Sequence, residues 1–183
     1  MGKAANSSIS LKQIHVTDNF WNKYVHLVKD VIIPYQWDIL NDKLEDVETS
    51  HCIENFKIAA GEKEGEFQGA VFQDTDVAKW LEAVGFVLNY ERDEKLEELA
   101  DETIELIGRA QQPDGYLNTY FTIKEPDGRW SNLMEGHELY TAGHMIEAAV
   151  AYYEATGKRR FLEIVFQKHI PGTHDRTHVS QHP

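Results

Sequence analysis

Cysteine is almost absent from this 183-residue chain, since Cys52 is the only one. A single thiol cannot form a disulfide within the chain, and it cannot supply a zinc site built from several cysteines. The adjacent His51 is poorly placed to activate it, because neighbouring residues of a helix point in different directions. We therefore predict that Cys52 is a small buried residue without a catalytic role.

Long apolar runs and an excess of positive charge are missing as well. No segment approaches the roughly 20 apolar residues of a membrane span, and the start of the chain lacks the apolar core of a signal peptide. The formal net charge is −13. Nucleic acids and anionic membranes both require clustered lysine and arginine. We expect neither as a partner, and a cytoplasmic location is the default.

What the chain does contain is helical periodicity. Apolar residues recur at three- and four-residue spacing over about 19–33, from 74 onward, over 94–111 and 135–156, and from about 158. The second and fourth of these helices are apolar around much of their circumference, whereas the helix over 94–111 has one acidic face. Alternating buried and amphipathic helices predict an all-α fold, a partial α/α toroid of helical hairpins.

Three further segments have less regular patterns. Residues 9–16 alternate loosely and predict a short strand, and the aromatic and β-branched stretch 116–124 predicts a short extended segment. Residues 1–10 and the Thr/His-rich residues 171–183 are predicted to be disordered. A partial α/α-barrel domain over 11–170 remains between them.

The strongest chemical signal is the segment 112–121 together with the helix that begins near His137. The first is a turn rich in aromatic and amide side chains, and the second carries His137, Tyr140 and His144 on one side. Imidazole and carboxylate groups bind sugar hydroxyls, and a tyrosine such as Tyr116 stacks on a sugar ring. This composition is typical of a carbohydrate pocket.

The histidines and the carboxylates of this chain do not by themselves identify a complete active site. His137 and His144 are two helical turns apart, too far to chelate one ion side by side, so we predict no metal site in this chain. Asp74, Asp76 and Glu138 are the candidate acids, since glycosidases use two carboxyl groups about 5 to 9.5 Å apart. The alternative for Asp74 and Asp76 is that they cap the helix that starts there.

Five blocks, in order, resemble the N-terminal part of the β-L-arabinofuranosidases of glycoside hydrolase family 127. They lie at 34–37 (Pro-Tyr-Gln-Trp), 54–61, 74–83, 112–121 and 137–144. The resemblance implies an (α/α)6 barrel and a retaining exo-hydrolase that removes β-L-arabinofuranose from plant-derived glycans. It also implies an L-arabinofuranosyl-containing oligosaccharide as the partner.

The family's catalytic groups fall outside the matched region. In the family, the nucleophile is a cysteine thiolate held on zinc by further cysteines and a glutamate, and a second glutamate is the acid/base. The resemblance therefore implies zinc for the full-length family but no zinc and no catalytic residue in this chain. We expect an inactive truncated fragment whose exposed apolar helix faces favour homo-oligomers.

The resemblance does assign substrate-binding residues. The histidine of the His-Glu-Leu-Tyr block contacts the sugar, which points to His137, and the glutamine of the Pro-Tyr-Gln-Trp block points to Gln36. Asp76, Tyr116 and His144 match family blocks and are expected to line the same pocket.

Two other functions are compatible with the residues alone. One is a different α/α-barrel enzyme, an unsaturated glucuronyl hydrolase or a polysaccharide lyase, which would use Asp, His or Tyr without zinc. The other is a non-catalytic helical protein that binds a sugar or a protein partner.

Overall fold

The computed structural model describes residues 9–167, and every regular element in this range is helical. The α-helices are α1 (Trp21–Leu27), α2 (Ile33–Leu40), α3 (Cys52–Ala59), α4 (Asp74–Tyr90), α5 (Glu94–Ala110), α6 (Thr119–Ile123), α7 (Glu138–Thr156) and α8 (Arg160–Phe166). No strand occurs in this part of the chain, so the all-α prediction is confirmed. The predicted disordered tail at 171–183 and most of that at 1–10 lie outside the described residues.

Both predictions of extended structure are wrong. The segment 9–16 contains a 3-10 helix at Leu11–Gln13, and the segment 116–124 contains α6. Helix α6 forms because the Asn118 side chain caps it, accepting a hydrogen bond from the Phe121 N–H at 3.1 Å. The β-branched and aromatic residues that suggested a strand yield to this cap and to a tertiary bond of Thr119.

The first long helix continues past its predicted end. Between α1 and α2 the chain passes through a π-helical turn at Val28–Ile32. Pro34 then lies in the first turn of α2, directly after the π-helical turn, and its missing N–H cannot donate a hydrogen bond to that turn. The proline therefore marks the start of a new helical segment in a continuous helix.

Helices α4 and α7 pack side by side and run parallel. The Lys79 Nζ lies 5.5 Å from the centre of the Tyr140 ring, and further along both helices Gly85 lies against Ala151. Since the contact positions advance in the same direction along the two helices, their N-terminal ends lie at the same end of the molecule. Helix α4 is largely buried, as the sequence predicts. Helix α7 buries one side and exposes Leu139, Tyr140 and Val150 on the other, so the prediction that it is buried all round is wrong.

Helices α5 and α8 form a second pair, on the outside of the first, and they also run parallel to each other. Lys158 contacts Asp101, the Arg160 Nε lies 2.9 Å from a Glu105 oxygen, and Gln111 donates to the Ile164 carbonyl at 2.8 Å. Short connections join α4 to α5 and α7 to α8, so the fold contains two neighbouring helical hairpins. This is the unit that α/α toroids repeat; the complete ring needs further hairpins and stays a prediction.

Two local predictions are confirmed. Gly157 ends α7 in the left-handed conformation, with φ of 76°. Cys52 is fully buried, and its thiol lies 3.4 Å from the carbonyl oxygen of Gln73. Separately, none of the described helices is both long and apolar enough to cross a membrane.

The close contact between α4 and α7 requires a residue without a side chain. A Cβ on Gly85 would lie 2.9 Å from the backbone carbonyl carbon of Ala151 and 3.0 Å from the backbone nitrogen of Tyr152. Both neighbours are main-chain atoms on the buried side of α7, so they cannot move aside without separating the helices.

We predict that Gly85→Ala destabilises the protein by about 1–3 kcal/mol through this overpacking. The loss outweighs the roughly 1 kcal/mol that alanine gains over glycine within a helix. Gly143→Ala is the matched control, because Gly143 lies in α7 with no atom within 4 Å of its added Cβ. Urea denaturation should show the first variant less stable and the second at least as stable as the parent. Equal effects would contradict the close contact.

Candidate functional site

A cavity of about 590 Å³ opens beside the first turns of α4. Its volume falls within the roughly 300–1,000 Å³ of small-molecule pockets. The side chains that line it include two of the five predicted substrate-binding residues, Gln36 and Asp76. The other lining residues are Ile39, Leu40, Glu48, Thr49, Ser50, Gln73, Lys79, Trp80 and Ala83.

The polar wall of the cavity is organised around Asp76. Gln73 donates to its carboxylate at 3.0 Å, and partial burial raises the pKa of Asp76 while nearby Lys79 opposes that rise. The sequence reasoning missed both neighbours. Lys79 was detectable, because it follows Asp76 by three residues and so shares its helix face. Gln73 carries no comparable signal, since glutamine is an unusual residue in front of a helix.

His137 lies immediately before α7. Its backbone is left-handed, with φ of 52°, and its Nδ1 lies 2.7 Å from the carbonyl oxygen of Glu135. A carbonyl accepts only, so Nδ1 donates this hydrogen bond and Nε2 is the ring nitrogen left for a ligand. The ring centre lies 5.3 Å from that of Phe72 and 5.9 Å from that of Tyr140. Tyr140 in turn contacts Lys79, a lining residue of the cavity, so His137 is connected to the cavity through the Tyr140 ring.

Tyr116 lies beneath this surface instead of lining it. Its hydroxyl donates to Glu138, and the backbone N–H of Trp130 donates to the other carboxylate oxygen at 2.8 Å. The Arg129 guanidinium lies 4.1 Å from the centre of the Tyr116 ring. Burial, reinforced by the bond to Glu138, raises the pKa of Tyr116 far above its usual range. Both oxygens of Glu138 thus accept hydrogen bonds from the segment 116–130, here called the aromatic loop, and hold it against α7.

Asp74 has a comparable structural role. Its buried carboxylate accepts hydrogen bonds from the backbone N–H of Thr119, at 2.7 Å, and from the Thr119 hydroxyl. Burial raises the pKa of Asp74 to about 6, although these two bonds oppose the rise. Gln73 occupies the N-cap position of α4, so the alternative that Asp74 or Asp76 caps this helix is wrong.

His144 lies two turns further along α7. It is partly buried, its ring meets the Tyr140 ring edge-on at 4.6 Å, and its Nδ1 is 3.3 Å from a Glu147 oxygen. It does not line the cavity. The structure therefore brings Gln36 and Asp76 together in the cavity. His137 and His144 both contact Tyr140 and do not line the cavity, and Tyr116 is buried.

The residues of this chain do not fit the zinc site that the resemblance implies for the full-length family. That site requires several cysteines, and Cys52 is the only one in the chain. Burial, together with the nearby charge of Asp74, raises the pKa of the Cys52 thiol well above its usual value. Cys52 therefore remains a protonated core residue and is unsuited to thiolate chemistry.

We predict that Tyr116→Phe lowers the free energy of unfolding by about 1–3 kcal/mol, because it leaves a buried carboxylate without one of its donors. Tyr120→Phe is the matched control. The Tyr120 hydroxyl also donates to a carboxylate, that of Glu125, but at the exposed surface. We expect that change to cost less than about 0.5 kcal/mol. Chemical denaturation measures both, and a Tyr116 variant as stable as the Tyr120 variant would contradict the buried anchor.

Comparison with known proteins identifies close relatives of the chain. The family model of the beta-L-arabinofuranosidase GH127 catalytic domain matches residues 13–169. The chain is 41% identical to a non-reducing end beta-L-arabinofuranosidase of Bifidobacterium longum subsp. longum, over 82% of this chain and 25% of that protein.

Solved structures agree with the sequence matches. A crystal structure of a GH127 beta-L-arabinofuranosidase from Geobacillus stearothermophilus T6 is similar with a TM-score of 0.83 and 64% identity, covering 84% of this chain and 24% of that one. A second GH127 beta-arabinofuranosidase structure has a TM-score of 0.78 and 35% identity, covering 87% and 26%. The chain thus spans about a quarter of the length of these relatives. The match along most of its length shows that the chain belongs to glycoside hydrolase family 127.

Proposed function

We propose that this chain forms one wall of the sugar-binding site of a β-L-arabinofuranosidase acting on plant-derived glycans. The observation that carries the proposal is the cavity beside the N-terminal end of α4. Gln36 and Asp76 line this cavity, and His137 is connected to it through the Tyr140 ring. The functions of the relatives support β-L-arabinofuranose as the sugar.

The side chains around the cavity suit a sugar because they offer donors and acceptors together. The Gln36 amide supplies both, the Asp76 carboxylate accepts, the His137 Nε2 is left for a ligand, and the Lys79 ammonium donates. A sugar hydroxyl also donates and accepts, so several such groups fix its orientation. The rim aromatic Tyr140 is 47% exposed, which leaves ring surface for an apolar face of the sugar.

Tyr116 contributes to this site indirectly. Its bond to Glu138 fixes the residue that directly follows His137, and the Trp130 N–H fixes the same carboxylate. These two hydrogen bonds at the first residue of α7, one buried and one partly buried, restrain the backbone there and so position the imidazole. We assign Tyr116 and Glu138 as positioning residues of the sugar wall.

The groups that break the glycosidic bond lie outside this chain in our proposal. The only thiol is buried and protonated, and the carboxylates of Asp74 and Glu138 are occupied by internal donors. Asp76 and Glu48 both line the cavity, but the nucleophile that the family resemblance implies is a zinc-bound cysteine thiolate, which the described residues do not supply. The sugar wall therefore binds, and the nucleophile and acid/base come from elsewhere.

Titration of the ¹⁵N-labelled chain with L-arabinose tests the proposal. We expect weak binding, with chemical-shift changes confined to residues around the cavity, including Gln36, Asp76 and His137. His137→Ala should reduce the affinity at least several-fold, because it removes a direct contact. His26→Ala is the matched control, since His26 is an exposed histidine on α1 paired only with Asp30. Shift changes away from the cavity, or equal effects of the two variants, would contradict the proposal.

The same ¹⁵N-labelled chain distinguishes the sugar-binding wall from the other candidate functions. A uronic acid that binds more tightly than L-arabinose would favour the uronide-cleaving α/α-barrel enzymes. An aryl β-L-arabinofuranoside should be left intact by this chain, and release of arabinose from it would contradict the location of the catalytic groups outside the chain.

A further inference from the structure

A second cluster of polar side chains lies where α4 and α7 face each other. Glu82 comes from α4, and His144 and Glu147 come from α7. One potential ligand atom from each residue lies within 4.8 Å of the other two. Neither the sugar-binding wall nor the buried anchors use these three side chains.

The cluster follows from the parallel packing of the two helices. His144 and Glu147 are three residues apart, so they lie on the same face of α7. Glu82 lies between Lys79 and Gly85, the two residues of α4 that contact Tyr140 and Ala151 of α7. The contacts on either side therefore place Glu82 beside the His144–Glu147 pair.

The imidazole of His144 has an unused ligand atom directed into this cluster. Its Nδ1 is shielded from solvent and has no hydrogen-bond partner within the described residues. It lies 3.3 Å from a Glu147 oxygen, without the alignment of a hydrogen bond. The Tyr140 ring, edge-on at 4.6 Å, restricts rotation of the imidazole. A buried polar atom without a hydrogen-bond partner is rare and requires an explanation, of which a bound ion or water is one.

We propose that Glu82, His144 and Glu147 bind a first-row divalent cation such as Zn²⁺. One imidazole and two carboxylates form a ligand set that suits zinc or cobalt, whereas Mg²⁺ and Ca²⁺ favour oxygen ligands alone. The two carboxylates balance the charge of the cation. Three protein ligands leave the remaining positions to water.

The observed spacing is compatible with closure around an ion. Zinc–nitrogen and zinc–oxygen bonds of about 2.0–2.2 Å place tetrahedral ligand atoms about 3.4 Å apart. Atoms now within 4.8 Å of one another must therefore approach by up to about 1.4 Å. The Glu147 side chain is 62% exposed and can swing inward, while the partly buried His144 stays in place.

This site differs from the family's zinc centre and from what the sequence predicts. It contains no cysteine, so it is not part of the thiolate chemistry. The prediction of no metal site considered His137 with His144, which are too far apart on one helix, and could not include a ligand from α4. It also gives His144 a role other than lining the sugar pocket. A bound cation would cross-link α4 to α7.

Titration of the full chain with Zn²⁺, followed by NMR, tests the proposal. We expect the resonances of Glu82, His144 and Glu147 to shift together and saturate at one equivalent, and Mg²⁺ to leave them unchanged. His144→Ala and Glu147→Gln should each weaken the binding at least tenfold. Glu147 is exposed, so its variant folds even if that of His144 does not. His26→Ala is the control and should bind like the parent, since the exposed His26–Asp30 pair is 3.8 Å apart without a third ligand.

Histidines near the end of the chain provide the competing outcome. His174, His178 and His182 lie outside the described residues and are themselves potential ligands. Triple replacement of these by alanine should leave the shifts of Glu82, His144 and Glu147 intact. If Zn²⁺ perturbs only the C-terminal histidines, or if the binding survives in both His144→Ala and Glu147→Gln, the cluster is an ordinary ion pair and the proposal is wrong.

Discussion

The close approach of α4 and α7 is the constraint on which the rest of the structure depends. Gly85 allows the two backbones to meet, because any larger residue would overlap the main chain of α7. Parallel packing at this contact places both N-terminal ends on the same side. The proposed cation site combines Glu82 of α4 with His144 and Glu147 of α7. The same packing brings Tyr140 of α7, and through it His137, near Lys79 of the cavity lining.

Buried carboxylates connect this helical pair to the aromatic loop. Asp74 holds the start of α6 through Thr119, and Glu138 holds Tyr116 and Trp130. Both acids lie in the interior, where a charged group needs internal donors to offset its lost hydration. Side chains that composition alone suggests as catalytic acids are therefore structural anchors. Asp76 remains at the surface of the cavity and keeps an oxygen available to a ligand.

Periodicity was sufficient to predict the long helices and the contrast between buried α4 and amphipathic α5. It failed at α6, because the Asn118 cap and the bond from Thr119 to Asp74 outweigh a local preference for strand. Spacing along one helix also could not show that Glu82 meets His144, since that requires the relative orientation of two helices. Gln36 was assigned to the sugar site from the family resemblance, and the fold places it in one cavity with Asp76.

The parallel packing of α4 on α7 is the central claim, and nuclear Overhauser effects test it most directly. The account predicts contacts between Gly85 Hα and the Ala151 methyl group, together with contacts between Lys79 and the Tyr140 ring. Contacts from Lys79 to Ala151, combined with contacts from Gly85 to Tyr140, would show antiparallel helices. That result would contradict the shared N-terminal end, the sugar wall and the cation site together.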